Sequence, residues 1–254
     1  MIQPATLLLL ALGLSASAQA DEPLTIAVAS NFRSTAEEIA AAFTSESGTS
    51  VRFSSGSTGK LYAQIVNGAP YDIFLAADTQ RPRLLEARGD ALDNSLMDYA
   101  TGKLALISAD PALKGQSCLG VLTSGSYRRI AIANPATAPY GAAAKAWLLA
   151  AGFWEAAVPK MIMGESISQT FQFVATGNAT LGIVAISQLT AADTPVNIVC
   201  RWAIDIPADA AVNQAGVILR RTDNPDAARS FMKFLRSETA KSLISSYGYE
   251  VPAS

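Results

Sequence analysis

The chain has 254 residues, of which 50% are hydrophobic and 16% are charged, so it can build one large domain or two lobes and is unlike an intrinsically disordered protein. Lysine and arginine total 19 and aspartate and glutamate total 21, and this net charge of −2 excludes the basic surface that binds nucleic acid or an anionic membrane. The absence of histidine excludes a Ser-His-Asp triad and, with only two cysteines, argues against a metal site built from nitrogen and sulfur ligands.

The N-terminal segment has the pattern of a secretory signal. Residues 5–14 form an apolar run that is too short to span a bilayer, and an Ala-Gln-Ala sequence then ends at Ala20. We therefore expect residues 1–20 to be a signal peptide that is cleaved after Ala20, although no lysine or arginine precedes the apolar run. No later segment approaches the roughly 18 consecutive apolar residues of a membrane-spanning helix, so we expect a soluble mature chain.

The first half of the mature chain alternates between predicted strands and helices. The apolar run at residues 24–29 predicts a strand, Ser30 and Asn31 predict a turn, and apolar residues at helical spacing begin at Phe32. The same order recurs, with strands predicted at residues 51–55 and 73–77 and helices at residues 60–66 and before Gly89. This alternation predicts a parallel, doubly wound sheet.

The second half of the chain repeats this order. A predicted strand at residues 103–108 leads the chain out of the first lobe, and a predicted strand at residues 214–220 returns it. Strands are predicted between them at residues 129–133, 160–163 and 181–186, and helices at residues 118–123, 142–151 and 169–176. We therefore predict a first lobe formed by residues 21–102 and 215–254 and a second lobe formed by residues 103–214.

Cys118 and Cys200 both fall in the predicted second lobe. A disulfide between them is permitted in an exported chain. Two buried free thiols are the alternative, because the sequence does not give the distance between the two residues. We predict the disulfide.

Four strand-to-helix junctions carry hydroxyl, amide or backbone groups that can hold an anion. They are Ser30-Asn31, Ser57-Thr58, Tyr140-Gly141 and Ile167-Ser168. Such junctions line the ligand crevice of open α/β sheets, and free N–H groups at a helix N-terminus favour negative charge. Because the junctions offer no obvious cation, we predict a fully ionised oxyanion that is held by hydrogen bonds. The alternative is that these groups only cap helices and form turns.

An enzymatic function is disfavoured by the same residues. A serine nucleophile would have no histidine base, and the sequence offers no named partner that would let Lys60 replace it. The run from Gly56 to Lys60 also lacks the G-x-x-x-x-G-K-[ST] spacing of a phosphate-binding loop.

Several segments, taken together, resemble one family. They are ASNF (29–32), GSTGKLYAQIVNGAPYDIFLAAD (56–78), NPATAPYGAAA (134–144), GESISQTFQF (164–173), LGIVA (181–185) and YG (247–248). Because they share the same order over essentially all of the mature chain, the sequence is similar to the periplasmic molybdate-binding proteins of ABC importers, which are type II solute-binding proteins.

The resemblance implies a two-lobed α/β fold of the type II periplasmic binding proteins, in which each lobe is a mainly parallel sheet flanked by helices and the ligand cleft lies between the lobes. It also implies a periplasmic monomer that binds molybdate or tungstate by hydrogen bonds, uses no cofactor, is not an enzyme and delivers its ligand to an ABC transporter permease. Another oxyanion, such as sulfate, is the alternative ligand. An enzyme or a ligand-independent interaction protein is the alternative class.

The resemblance also assigns residues of the first lobe to the ligand. By position, Ser30 would donate its hydroxyl and its backbone amide, and Asn31 would match the relatives that carry asparagine there. Thr58 falls where the family has a hydroxyl at the second junction, and Ser57 is the alternative if the register is shifted by one residue.

Two residues of the second lobe complete this expected set. Tyr140 and Ile167 would each donate a backbone N–H to the oxyanion. Some relatives use a tyrosine hydroxyl after the LGIV strand, where this chain has Ala185. We therefore expect Asn31 to replace that contact.

Overall fold

The structure is a computed structural model that describes residues 22–190 and 196–252, so the predicted signal peptide lies outside the described residues. The strands are β1 (Leu24–Ala29), β2 (Val51–Gly56), β3 (Ile73–Ala76), β4 (Met97–Gly102), β5 (Leu104–Ser108), β6 (Ile130–Ala133), β7 (Met161–Gly164), β8 (Leu181–Ala185), β9 (Cys200–Ile204) and β10 (Val212–Ile218). The helices are α1 (Arg33–Ser47), α2 (Thr58–Val66), α3 (Gln80–Ala87), α4 (Cys118–Ser124), α5 (Pro139–Ala150), α6 (Trp154–Ala157), α7 (Ile167–Ala175), α8 (Pro225–Phe234) and α9 (Glu238–Ser246). Over the described ranges, every helix is too short or too polar to span a lipid bilayer.

The strands form two five-stranded sheets, one in each lobe. The first has the order β2-β1-β3-β10-β4, in which β1 is parallel to β2 and β3, and β10 is antiparallel to β3 and β4. The second has the order β7-β6-β8-β5-β9, in which β6 is parallel to β7 and β8, and β5 is antiparallel to β8 and β9. The predicted two-lobed α/β fold is confirmed, with both sheets mixed.

The antiparallel pairs have a topological cause. Each of them contains β5 or β10, the strands with which the chain enters the second sheet and returns to the first. A parallel neighbour requires a helical crossover within the same sheet, whereas a strand that arrives from the other lobe has no such crossover before it.

Helices cover the first sheet on both faces. Phe43 of α1 meets Phe231 of α8 edge to face with ring centroids 5.2 Å apart, and Ile244 of α9 belongs to the same buried cluster. Leu61 of α2 and Leu85 of α3 belong to a separate buried cluster that covers other residues of this sheet. Burying side chains of this size stabilises the fold by about 1.5 to 3 kcal/mol each. The C-terminal helices therefore complete the core of the first lobe, although they follow the second lobe in sequence.

Two strands were not predicted from the sequence. β4 and β9 are edge strands, and each lacks a continuous apolar run because polar side chains such as Asp98 and Arg201 lie on exposed positions. The predicted boundary between residues 214 and 215 falls inside β10, because this strand begins at Val212 and belongs to the first sheet.

The predicted disulfide is confirmed. Cys118 and Cys200 are bonded, with their Cα atoms 5.6 Å apart, within the range that a disulfide requires. The bond joins the start of α4 to the start of β9, at an edge of the second sheet. It closes a separation of 82 residues within one lobe.

Candidate functional site

A small cavity lies between the two lobes, where parallel strands of both sheets end. Its empty volume of about 190 Å3 is the smallest among the cavities described, the others measuring about 610 to 980 Å3. The structure brings all six predicted site residues to this cavity, which is lined by Ala29, Ser30, Asn31, Gly56, Ser57, Thr58, Ala77, Ala138, Pro139, Tyr140 and Ile167. A drug-sized organic ligand occupies a pocket of about 300 to 1,000 Å3, whereas a water-sized sphere can reach only about 10 Å3 of this cavity, so the cavity is suited to a much smaller ligand.

Four helices begin at the edge of this cavity. α2 begins at Thr58, α5 begins at Pro139 with Tyr140 as its second residue, and α7 begins at Ile167. α1 begins at Arg33, two residues after Asn31. The first residues of α2, α5 and α7 line the cavity, so these three helices direct the positive ends of their dipoles and free N–H groups toward it, which favours an anion there.

Four backbone amides of these junctions are available to a ligand. The N–H groups of Asn31, Thr58, Tyr140 and Ile167 donate to no acceptor within the described residues. The N–H of Ser30 is not available, because it donates to the carbonyl oxygen of Gly56 at 2.9 Å and continues the pairing of β1 with β2. The expectation that Ser30 donates its amide is therefore wrong, and only its hydroxyl can reach a ligand.

The hydroxyls of Ser57 and Thr58 differ in what they contact. Ser57 is 4% exposed, and its hydroxyl has no hydrogen-bond partner among the described residues, although it is the N-cap of α2. The Thr58 hydroxyl accepts a hydrogen bond from the N–H of Ala77 at 3.0 Å and therefore ties α2 to the end of β3. A buried hydroxyl without a partner is unfavourable unless a ligand or water satisfies it, which favours Ser57 as a ligand donor, although the Thr58 hydroxyl only accepts from Ala77 and keeps its own hydrogen to donate.

The side chain of Asn31 is directed into a buried polar network. Its Nδ2 donates to Oε1 of Gln214 at 2.8 Å and contacts the hydroxyls of Tyr249 at 3.1 Å and Tyr140 at 3.4 Å. The expectation that Asn31 replaces the contact missing at Ala185 is therefore not met by its side chain, because both amide hydrogens already face acceptors. Asn31 instead offers its backbone N–H, and its side chain fixes the direction of that peptide.

Several residues that the sequence analysis did not assign to the site hold the site residues in position. Ser187 of the second lobe donates to the carbonyl oxygen of Asn31 at 3.0 Å, and Tyr99 donates to Oε1 of Gln214 at 3.2 Å. Gly102 allows the Tyr140 ring to approach, because a Cβ at this position would lie 2.0 Å from the Tyr140 hydroxyl oxygen. In the sequence, these supporting residues could have been suspected only from Gln214, a glutamine within an apolar strand, and Tyr249, a tyrosine in the closing segment. Neither feature is specific to a binding site.

None of the described residues that line the cavity carries a charged side chain. Lys60 and Glu165 form an ion pair across the lobes, but both side chains are more than half exposed. Burial raises the pKa of Tyr249 to about 12 and holds the pKa of Tyr140 well above its ordinary value, so both phenols stay neutral at physiological pH. Within residues 22–190 and 196–252, no cluster of His, Cys, Asp or Glu could hold a metal ion. The site therefore offers neutral donors only, which suits an ionised oxyanion.

Residues 24–250 match the family described as bacterial extracellular solute-binding proteins. The chain belongs to this family. Among its relatives, the molybdate-binding protein ModA of Azotobacter vinelandii is 41% identical over 247 residues, which cover 95% of this chain and 96% of the relative. The molybdate-binding protein ModA of Rhodobacter capsulatus is 39% identical over 245 residues, which cover 96% of this chain and 94% of the relative.

A solved structure of the same family agrees with these relatives. The periplasmic molybdate-binding protein of Azotobacter vinelandii superposes with a TM-score of 0.82 at 37% identity, covering 91% of this chain and all of the other. These relatives carry the names of binding proteins and not of enzymes. This solute-binding protein therefore shares both its fold and a large part of its sequence with proteins that bind molybdate.

Proposed function

We propose that this solute-binding protein captures molybdate, and also tungstate, in the interlobe cavity and delivers it to the permease of an ABC importer. The single observation that carries the proposal is the neutral cavity in which the buried Ser57 hydroxyl and the backbone N–H groups of Asn31, Thr58, Tyr140 and Ile167 lack partners. The names and similarity of the relatives support molybdate as the ligand.

The donors have unequal roles in this proposal. The hydroxyls of Ser30 and Ser57 and the N–H groups of Asn31 and Thr58 would bind from the first lobe. Tyr140 and Ile167 would supply N–H groups from the second lobe, so the ion is held only when both lobes face it. A hydrogen bond to a charged group contributes about 1.5 to 3 kcal/mol, and several of them can offset an association cost of about 4 kcal/mol or more.

The cavity also disfavours other classes of oxyanion. A protonated oxyanion would need a carboxylate that accepts its hydrogen, and none lines the cavity. Sulfate is fully ionised but smaller, so it would not reach the donors of both lobes at hydrogen-bonding distance. We therefore expect size, and not charge, to separate molybdate from sulfate.

The protein would act outside the cytoplasm as a monomer. The apolar run at residues 5–14 and the Ala-Gln-Ala sequence that ends at Ala20 support export through a cleaved signal peptide. The Azotobacter vinelandii relative is named as periplasmic, which supports the same location for this chain.

Thermal melts with different oxyanions test the proposal. The anion-free protein is melted with molybdate, tungstate or sulfate at equal concentration and ionic strength. A ligand at a thousand times its Kd stabilises the folded state by about 4 kcal/mol, and a chain of this size gains roughly 2 to 4 °C per kcal/mol. We expect molybdate and tungstate to raise Tm by roughly 8 to 16 °C and sulfate by much less. Equal Tm shifts for all three ions would indicate that the site responds to charge and not to size. No Tm shift with any ion would contradict oxyanion binding.

A further inference from the structure

The backbones of the two lobes approach each other closely at Gly59 and Thr137. Gly59 is the second residue of α2, and its N–H donates to the carbonyl oxygen of Thr137 at 2.8 Å. A Cβ at position 59 would lie 2.9 Å from this oxygen and 3.0 Å from the Thr137 Cα. Both are backbone atoms of the second lobe, so they cannot rotate away as a side chain would. The other near atom, Nη2 of Arg81 at 3.2 Å, is the end of a flexible side chain.

This contact is adjacent to ligand donors in both lobes. Gly59 directly follows Thr58, whose N–H faces the cavity, and Thr137 lies three residues before Tyr140. The segment around Thr137 is held by its own hydrogen bonds, because the N–H groups of Thr137 and Ala138 donate to the carbonyl oxygen of Asn134 at 3.2 and 2.9 Å. The separation between Gly59 and Thr137 therefore determines the distance between the donors of the first and second lobes.

We propose that Gly59 is a specificity-determining residue, because its missing side chain sets how far the lobes close and so which size of oxyanion reaches the donors of both. The inference rests on the proposed function and extends it from the ligand to the origin of size selection. A methyl group at position 59 would stop closure early. The ion would then keep the donors of the first lobe and lose those of Tyr140 and Ile167, so binding would be weaker and less selective.

Gly59→Ala tests this inference against a matched control. Gly120→Ala places the same methyl in the first turn of α4, where a Cβ would contact only the Ser117 side chain, at 3.5 Å or more. Alanine is favoured over glycine inside a helix, so neither substitution should destabilise the lobe that contains it. We expect Gly59→Ala to weaken molybdate binding by about tenfold to a hundredfold if one hydrogen bond to the charged ligand is lost, and by more than about a hundredfold if both second-lobe bonds are lost. Gly120→Ala should bind as the wild type does.

Two readouts separate size selection from a general loss of fold. The first is the ratio of sulfate to molybdate Kd by calorimetry, which should fall in Gly59→Ala. The second is the decrease in radius of gyration on adding molybdate, measured by small-angle X-ray scattering, which should be smaller in this variant than in the wild type.

The outcomes distinguish this inference from the proposed function. If the wild type binds neither molybdate nor tungstate, the proposed function itself fails. If the wild type binds molybdate and Gly59→Ala keeps the same ratio of affinities, the role of Gly59 is refuted while the proposed function stands. An unchanged decrease in radius of gyration on adding molybdate would also refute the role of Gly59, because the lobes would then close as far as in the wild type.

Discussion

The hydroxyl of Tyr249 lies 2.7 Å from the carbonyl oxygen of Asn31, to which it donates a hydrogen bond. This bond joins the C-terminal segment to the first strand-to-helix junction, where the cavity begins. Ser187 of the second lobe donates to the same oxygen at 3.0 Å, and its hydroxyl is 2.9 Å from that of Tyr249. A residue at the end of the chain therefore holds a proposed ligand donor in place and contacts both lobes.

Tyr249→Phe removes this hydroxyl with little change of shape. We expect the free energy of unfolding of the ligand-free protein to fall by about 1 to 3 kcal/mol, because the bond to the Asn31 carbonyl and the bond from Asn31 Nδ2 are both lost, while Ser187 and Gln214 still satisfy these groups. Urea unfolding measures this change. Tyr62→Phe is the control, because within the described residues the Tyr62 hydroxyl has no hydrogen-bond partner and its ring is only partly buried. Equal destabilisation by the two substitutions would argue against the bond between Tyr249 and Asn31.

Ser57→Ala removes the proposed side-chain donor without breaking a bond within the protein. We expect molybdate affinity to fall by about tenfold to a hundredfold, since a hydrogen bond to a charged group contributes about 1.5 to 3 kcal/mol. The ligand-free Tm should stay close to that of the wild type, because the hydroxyl has no partner in the protein. Calorimetry and a ligand-free melt measure both quantities. Unchanged affinity would move the side-chain role to Thr58.

Thr58→Ala should destabilise the protein before any ligand is added. Its hydroxyl is the acceptor for the buried N–H of Ala77, and an unsatisfied buried donor costs about 1 to 3 kcal/mol. Thr58→Ser keeps the hydroxyl and serves as the control. The measurement is urea unfolding of both variants without ligand. A Thr58→Ala variant as stable as Thr58→Ser would show that the bond to Ala77 contributes nothing.

Removal of the disulfide should lower stability and leave binding intact. We expect Cys118→Ser combined with Cys200→Ser to lose about 2 to 4 kcal/mol, because the bond constrains the unfolded chain. The bond lies at an edge of the second sheet, whereas the cavity lies at the ends of β6 and β7. Thermal melts and calorimetry with molybdate measure the two effects, and a reduced, alkylated wild type is the comparison. A large loss of affinity would contradict the separation of the disulfide from the site.

Buried tyrosines should make the protein sensitive to alkaline pH. Burial raises the pKa of Tyr249 to about 12 and raises the pKa values of Tyr99 and Tyr140 well above their ordinary value. The folded pKa lies above the unfolded value of about 10, so the unfolded chain loses its phenolic protons at a lower pH than the folded protein. The free energy of unfolding is therefore fully retained below about pH 10 and decreases as the pH rises from there toward 12. Urea unfolding at a series of pH values should show a free energy of unfolding that falls above about pH 10.

Tyr249→Phe provides the control for this dependence. The variant should lose stability less steeply with rising pH, because one buried phenol no longer needs to stay protonated. A free energy of unfolding that is constant to about pH 11 would contradict the burial of these phenols.

Much of the fold could be predicted from the sequence, because parallel strands with helical crossovers produce a local pattern of residue types. Most of the strands and helices of both lobes can be predicted from the apolar run of β1, the helical spacing after Phe32 and the repeats of this order. β4 and β9 were missed because an edge strand has one neighbour only, so its outward positions can be polar, as Asp98 and Arg201 are.

The sequence by itself determined the chemistry available at the site. The junctions at Ser30, Thr58, Tyr140 and Ile167 occur where strands end, and all four face the same cavity. Their neutral composition already pointed to hydrogen bonding of an ionised ligand. These features are local, because they depend on the residue type and on its position relative to the nearest strand and helix.

Only the tertiary structure decided which groups are free to bind. The Ser30 amide donates to Gly56 and the Asn31 side chain donates to Gln214, so neither is free for a ligand, and both partners are distant in sequence. The Thr58 hydroxyl accepts from Ala77 and keeps only its hydrogen for a ligand. The hydroxyl of Ser57 stays free because no such partner reaches it. A hydrogen-bonding group can serve a ligand only when the protein does not already occupy it, and that depends on contacts between remote segments that no local pattern records.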